Sequence, residues 1–182
     1  MMFSLVFLAA GCTSLPREAE VPDTLRPGPN ESLAMISPAE GVQIYECRAR
    51  KDRAGEYEWT FVAPQAVLYD GHGAKVGLHY AGPHWESADG SRIAGTLKAR
   101  ADAPAANAIP WLLLAAKSVG PEGSLSRVTS VQRIHTSGGL APEDGCSGTT
   151  TGKQARVGYT ADYYFFAQSA PAALGSQGAG MY

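Results

Sequence analysis

The residues best suited to chemistry are concentrated in one short stretch, residues 78–91, which reads Leu-His-Tyr-Ala-Gly-Pro-His-Trp-Glu-Ser-Ala-Asp-Gly-Ser. It contains His79 and His84, and Glu86 and Asp89 follow closely. Imidazole and carboxylate groups are the usual ligands of catalytic metal ions, and two carboxylates in a cleft can hydrolyse a glycosidic bond. One hypothesis is therefore a secreted hydrolase or metal-dependent enzyme that uses the His79 to Asp89 loop, through His79, Glu86, Asp89 or, from another strand, His135.

A metal site would need further ligands near this stretch. Asp70 and His72 precede it in the sequence, and His135 could face it from another strand. The spacing matches no metal-binding motif such as HExxH. His79 and His84 are five residues apart, so a strand would place them on opposite faces unless a turn redirects one. We therefore predict no metal and no cofactor, and we name no catalytic residue.

A binding role is the stronger hypothesis, because the same region mixes aromatic and polar side chains. Tyrosine and tryptophan combine a large apolar face with a hydrogen-bonding tip, which suits recognition of a small molecule, a glycan or a protein on a rigid sheet. Trp85 could instead fill the core. The predicted ligand-binding residues are His79, Tyr80, His84, Trp85, Glu86, Asp89, Gln132 and Arg133.

Short strands are the elements that must position these residues. Apolar and polar residues alternate with a period of two in residues 42–47 and again in residues 57–61. Residues 109–116 are almost entirely apolar, which is typical of a core strand or a short buried helix. About eight such segments with turn signals between them predict an all-β fold, an antiparallel β-sandwich or barrel-like single domain with long loops.

Length and charge favour this picture and exclude other classes of protein. A chain of 182 residues that is 45% hydrophobic and 18% charged fits one globular domain. Its 15 basic and 17 acidic residues give a formal net charge of −2, which provides no basic surface for nucleic acid. We expect no nucleic-acid partner.

The two ends of the chain differ from the domain, which is predicted to span residues 39–168. Residues 1–12 form a short apolar run that ends in small residues and Cys12, like the end of a bacterial lipoprotein signal peptide. Cys12 is the predicted lipidation site, with an ordinary secretory signal as the alternative. Residues 13–38 contain five prolines and predict an extended tether, and residues 169–182 predict a flexible tail.

These ends give the expected location. We expect an exported protein of the bacterial cell envelope, a periplasmic or outer-membrane lipoprotein held to the membrane only by its lipid anchor. If Cys12 carries lipid, Cys47 and Cys146 form an even pair in an oxidising compartment, and one disulfide is the simplest interpretation. Two buried free thiols or a metal site are the alternatives.

Six segments also occur in an order that resembles a known family. They are residues 41–47 (GVQIYEC), 79–83 (HYAGP), 89–91 (DGS), 109–112 (IPWL), 145–146 (GC) and 159–165 (YTADYYF). This series is similar to that of a secreted bacterial and fungal family catalogued as domain of unknown function 3455. The resemblance implies secretion and one compact domain. The family has no established activity, so the resemblance implies no catalytic residues.

Overall fold

The computed structural model describes residues 20–169, and these residues form a closed antiparallel barrel of eight strands in sequence order. The strands are β1 (Glu31–Ala49), β2 (Tyr57–Tyr69), β3 (Lys75–Tyr80), β4 (His84–Ser87), β5 (Arg92–Ala101), β6 (Trp111–Ser118), β7 (Val128–Gly138) and β8 (Gln154–Gln168). The prediction of an all-β antiparallel fold of sandwich or barrel type is confirmed, in its barrel form. No helix in residues 20–169 is long and apolar enough to cross a membrane.

The first strand begins earlier than the sequence indicates, so the predicted tether over residues 13–38 is wrong for residues 31–38. These residues belong to β1 and pair with β8 alone, because β2 joins β1 only from Ala39 onward. Leu33 and Ile36 in this part of the strand are 48% and 42% exposed, so they show no alternation of buried apolar residues. Hydrogen bonding to the last strand creates this segment, and its own sequence pattern does not reveal it.

The chain just before β1 is also packed against the barrel. A short 3-10 turn, Asp23–Leu25, places the Leu25 side chain against Trp111 and Ile134 on the outer surface. The Gln132 side-chain amide donates a hydrogen bond of 2.7 Å to the Leu25 carbonyl. Residues 21–25 therefore cover the outer face of β6 and β7, which the tether prediction did not anticipate.

The interior of the barrel combines very large side chains with very small ones. Trp85, Tyr163 and Phe165 are at most 1% exposed. The Trp85 ring meets the other two edge-on, with 5.6 Å between its centroid and that of Tyr163 and 6.4 Å to that of Phe165. Gly95 leaves the space that the indole occupies, because a Cβ at this position would lie 2.7 Å from Trp85 Cζ3. Gly77 faces inward on β3, where a Cβ would lie 2.4 Å from the Glu86 carbonyl oxygen. Glycine at these two positions lets the Trp85 indole and the β4 backbone approach their neighbouring strands closely, which a larger residue would prevent.

The connections β1–β2, β3–β4, β5–β6 and β7–β8 lie at one end of the barrel, which we call the upper end. The longest of them, residues 139–153, is joined to β1 by a disulfide between Cys47 and Cys146, as predicted. Trp59 on β2 donates an indole hydrogen bond of 2.9 Å to the Asp144 carbonyl in the same connection. The upper end is therefore held by a covalent bond and by hydrogen bonds.

Candidate functional site

Three of the predicted binding residues point into the barrel. Strand register places His79 opposite Trp85, and Arg133 opposite both Leu112 and Tyr163. Residues directly opposite each other in a sheet share one face, and Tyr163 is a core residue. The barrel thus encloses an imidazole, an indole and a guanidinium.

A pocket of about 230 Å³ opens at the upper end of this interior, and we call it the mouth pocket. Its floor consists of side chains that are at most 5% exposed, namely Gln43, Trp85, Leu114 and Tyr163. The β3–β4 turn forms one wall with Gly82 and Pro83. Apart from a few polar groups, the lining is apolar, which is the usual character of a small-molecule site.

The rim of the mouth pocket is made of exposed apolar side chains. Phe61, Val62 and Leu97 line the pocket and are 49%, 40% and 56% exposed. Each rim strand carries a register shift at this point, where Val62 on β2 and Lys98 on β5 have no directly opposite partner. A β-bulge redirects neighbouring side chains and bends the strand. The two bulges explain how large apolar residues come to surround an opening.

Two buried N–H groups on the pocket floor have no hydrogen-bond partner among residues 20–169. They are Nε2 of Gln43 and Nε1 of Trp85, whose side chains are 2% and 1% exposed. An unpaired buried donor costs about 1–3 kcal/mol, so nearly all such groups in proteins are paired. These two donors therefore remain an uncompensated cost beside the mouth pocket.

Arg133 places a permanent positive charge at the same pocket. Its Nε and Nη2 donate hydrogen bonds of 3.2 and 2.8 Å to the Pro110 carbonyl, which fixes the guanidinium beside the β5–β6 connection. No carboxylate within residues 20–169 forms an ion pair with Arg133. Tyr163 is a further hydrogen-bond partner of the guanidinium, and the fork has more N–H donors than these two partners use.

Two tyrosines in the barrel remain protonated. The hydroxyls of Tyr159 and Tyr163 are 3.2 Å apart and share a hydrogen bond. Burial raises the pKa of Tyr163, and the Arg133 charge opposes that rise only in part. Burial likewise raises the pKa of Tyr159. Neither phenol provides a negative charge to balance Arg133.

His79 is a neutral residue of the barrel core. It is 3% exposed and stacks on Trp85 with 4.5 Å between ring centroids, and its Nδ1–H donates to the His84 carbonyl at 2.8 Å. Burial lowers its pKa from 6.5 to about 3, the hydrogen bond to His84 opposes this, and the charges of Arg133 and His84 lower it further. The histidine therefore fixes the position of Trp85 under the mouth pocket.

Three other predicted binding residues lie outside the barrel. The Tyr80 hydroxyl donates to Glu86 Oε2 at 2.7 Å, and Arg92 Nη1 lies 3.5 Å from the same oxygen. His84 stacks on Tyr80 with 5.5 Å between centroids, and its Nδ1–H donates to the Ala81 carbonyl at 2.6 Å. These side chains satisfy one another on the outer surface of β3 to β5 and do not contribute to the mouth pocket.

The last two predicted binding residues have structural partners. Asp89 accepts hydrogen bonds from the Ser91 hydroxyl at 2.6 Å and from the Ser124 N–H at 2.7 Å, so it joins two loops at the lower end of the barrel. These hydrogen bonds, that of the Ser91 hydroxyl above all, hold the pKa of Asp89 well below its usual range. Gln132 is bound to the Leu25 carbonyl on the outer face.

The structure also separates the residues of the enzyme hypothesis. Asp70 accepts a backbone hydrogen bond from His72 in an exposed turn, and His135 pairs with Asp162 at 2.9 Å on another surface. His135 has φ 50°, in the left-handed region, within the bulge that turns it outward. No group of three or more His, Cys, Asp or Glu side chains in residues 20–169 is arranged to hold a metal ion. Cys12 lies outside the described residues.

Fold and pocket together define the class of protein as a closed eight-stranded antiparallel barrel with an apolar pocket at its mouth. The chain belongs to the family described as "Protein of unknown function (DUF3455)", whose sequence model matches residues 27–167. The resemblance seen in the sequence is thus confirmed. No curated protein and no solved structure matches the chain.

Most of the mouth pocket was not predicted from the sequence. Trp85 and Arg133 were among the predicted residues, whereas Gln43, Phe61 and Leu97 were not. The two bulges on β2 and β5 that form the rim cannot be recognised from the alternation of apolar and polar residues. Gln43 between Val42 and Ile44 is the one sequence signal for a polar group that faces the barrel interior.

Proposed function

We propose that this protein is a non-catalytic binding module whose mouth pocket holds a small, largely apolar molecule. The observation that carries the proposal is a concave apolar pocket with buried, unpaired donors on its floor. A ligand that covers the rim would remove exposed apolar surface from water and give those donors acceptors. The enzyme alternative receives no comparable support, because His79, Glu86 and Asp89 lie in three separate environments.

The size of the pocket limits the ligand. A water molecule occupies about 30 Å³ of liquid, and a cavity of about 150 Å³ can hold benzene. A pocket of about 230 Å³ therefore encloses a short alkyl chain or a single aromatic ring, with any longer part lying on the rim. This favours a small amphiphile over a glycan, whose many hydroxyls would find few partners on an apolar lining.

A rim substitution should weaken binding without harming the fold. We expect Leu97→Glu to lower the affinity for 1-octanol by at least about tenfold, because it removes roughly 1.5–3 kcal/mol of apolar contact and introduces a charge. Leu97 is 56% exposed, so the free energy of unfolding should change little. Isothermal titration calorimetry of the full chain measures the affinity, and urea denaturation measures the stability.

The matched control is Leu78→Glu. Leu78 is 40% exposed on the outer face of β3 and does not line the mouth pocket. This variant has the same change of charge and should bind 1-octanol as the wild type does. Equal weakening by both substitutions, or no effect of either, would rule out the mouth pocket as the binding site.

We also propose that the barrel is exported and anchored at Cys12. The support is the apolar run of residues 1–12 ending in cysteine, together with a disulfide that requires an oxidising compartment. In a bacterial host grown with radiolabelled palmitate, the wild-type protein should carry the label and appear in the membrane fraction. Cys12→Ser should lose both properties. Label that persists in this variant would contradict the anchor.

A further inference from the structure

We propose that the mouth pocket takes an amphipathic monocarboxylate, with its carboxylate on Arg133 and Gln43 and its apolar part against Leu114 and the apolar rim. This inference rests on the proposed function and narrows it to one chemical class of ligand. The polar atoms that the pocket leaves unpaired are hydrogen-bond donors, and they determine the chemical class of the ligand.

The first step concerns the donors. Gln43 Nε2 and Trp85 Nε1 are buried, unpaired and carried by side chains that line the pocket. Both are N–H groups, and the guanidinium of Arg133 adds further N–H groups at the same site. The groups left unpaired at this site are thus N–H donors, which favour a ligand group that accepts hydrogen bonds. An ionised carboxylate accepts hydrogen bonds and donates none.

The second step concerns charge. Arg133 has no carboxylate partner in residues 20–169, and the nearby phenols of Tyr159 and Tyr163 stay neutral. A partly buried cation without a counter-ion is unfavourable, and a planar guanidinium matches a carboxylate in geometry. Because the pocket has one cation, a ligand with a single negative charge neutralises it. A cationic ligand would be repelled.

The third step concerns the orientation of the ligand. The Pro110 carbonyl holds Arg133 at the side of the pocket, whereas Leu112 and Leu114 line it with apolar side chains. The exposed rim residues Phe61 and Leu97 extend the apolar surface outward. A ligand with one charged end and one apolar end satisfies both regions at the same time.

The test compares three probes of equal chain length on the full wild-type chain by isothermal titration calorimetry. We expect octanoate to bind at least about tenfold more tightly than 1-octanol, since a hydrogen-bonded charge contributes more than a neutral group. Octylamine should bind more weakly than 1-octanol. This comparison needs no variant, so it does not depend on whether a substituted protein folds.

Three variants then assign the carboxylate site. Arg133→Met should abolish the preference for octanoate over 1-octanol, and Gln43→Leu should reduce it several-fold. The matched control is Arg156→Met, which removes a charge from the outer surface, where Arg156 Nη2 donates to Gln65 at 2.7 Å. That control should keep the full preference.

The outcomes separate the two proposals. If 1-octanol binds the wild type as tightly as octanoate does, the ligand class proposed here is wrong and the apolar pocket stands. A preference that survives both Arg133→Met and Gln43→Leu overturns the assignment of the carboxylate to these residues. If none of the three probes binds, the proposed function fails together with this inference.

Discussion

Replacing Cys47 and Cys146 by alanine is expected to lower the free energy of unfolding by roughly 2–5 kcal/mol. The disulfide joins residues 99 apart in sequence, so it constrains a large part of the unfolded chain. The chain-entropy estimate for a loop of about 100 residues is about 4.7 kcal/mol, and delivered values are often smaller. For a domain with a total stability of about 5–15 kcal/mol, this loss is a large fraction.

Urea denaturation of the double variant and of the wild type, each with and without a phosphine reductant, provides the measurement. The reductant should lower the wild-type stability to that of the double variant and leave the double variant unchanged. Below the unfolding transition, the double variant should still bind 1-octanol, because Tyr45 and Trp59 also hold the β7–β8 connection through Gly139 and Asp144. A loss of less than about 1 kcal/mol would show that this connection contributes little to stability.

We expect acidification to lower the free energy of unfolding at pH values where most carboxylates are still ionised, because His79 is buried and neutral in the folded barrel. The folded protein keeps this imidazole neutral, with its pKa lowered from 6.5 to about 3 by burial. Below about pH 6.5 the unfolded chain therefore binds one more proton than the folded chain, and the free energy of unfolding falls as the pH falls. The contribution of His79 is fully present above that pH and falls by about 1.4 kcal/mol for each pH unit down to about pH 3.

His79→Phe isolates this effect, because phenylalanine can fill the space beside Trp85 without titrating. The difference in unfolding free energy between about pH 6.5 and about pH 5 should be roughly 2 kcal/mol smaller in this variant than in the wild type. The matched control, His72→Ala, replaces a histidine in an exposed turn and should retain the wild-type slope. Parallel curves for wild type and His79→Phe would mean that the imidazole is protonated in the folded barrel.

The strands were readable from the sequence because turn residues separate them and because several alternate with a period of two. Which face of each strand turns inward was harder to predict. On β3 the apolar residue Leu78 is exposed, whereas Gly77 and His79 are buried and face the interior. A small barrel has room for only a few large side chains, so glycine and polar residues occupy interior positions that hydropathy would assign to the surface.

The candidate site illustrates the same difficulty. Trp85 and Arg133 were predicted as binding residues because aromatic side chains beside polar ones suit ligand recognition, and both line the mouth pocket. Tyr80, Glu86 and Asp89 were chosen for the same chemical reasons, yet they lie outside the pocket. Residue type was informative, but the direction of each side chain depends on strand register and on two bulges.

The pairing of β1 with β8 closes the barrel, and it matches Glu31 with Gln168 at one end and Glu46 with Gln154 at the other. The first strand to be synthesised thus finds its partner only when the last strand has emerged. Pairings between such distant segments fold slowly, since the chain must first lose the entropy of a long loop. Until then, β1 and β7 each present an open edge that can pair with another chain.

Barrel closure therefore determines when this protein becomes compact as well as how stable it is. A nascent chain lacking its final strand has no complete ring and no finished mouth pocket, and its exposed edges make it prone to aggregation.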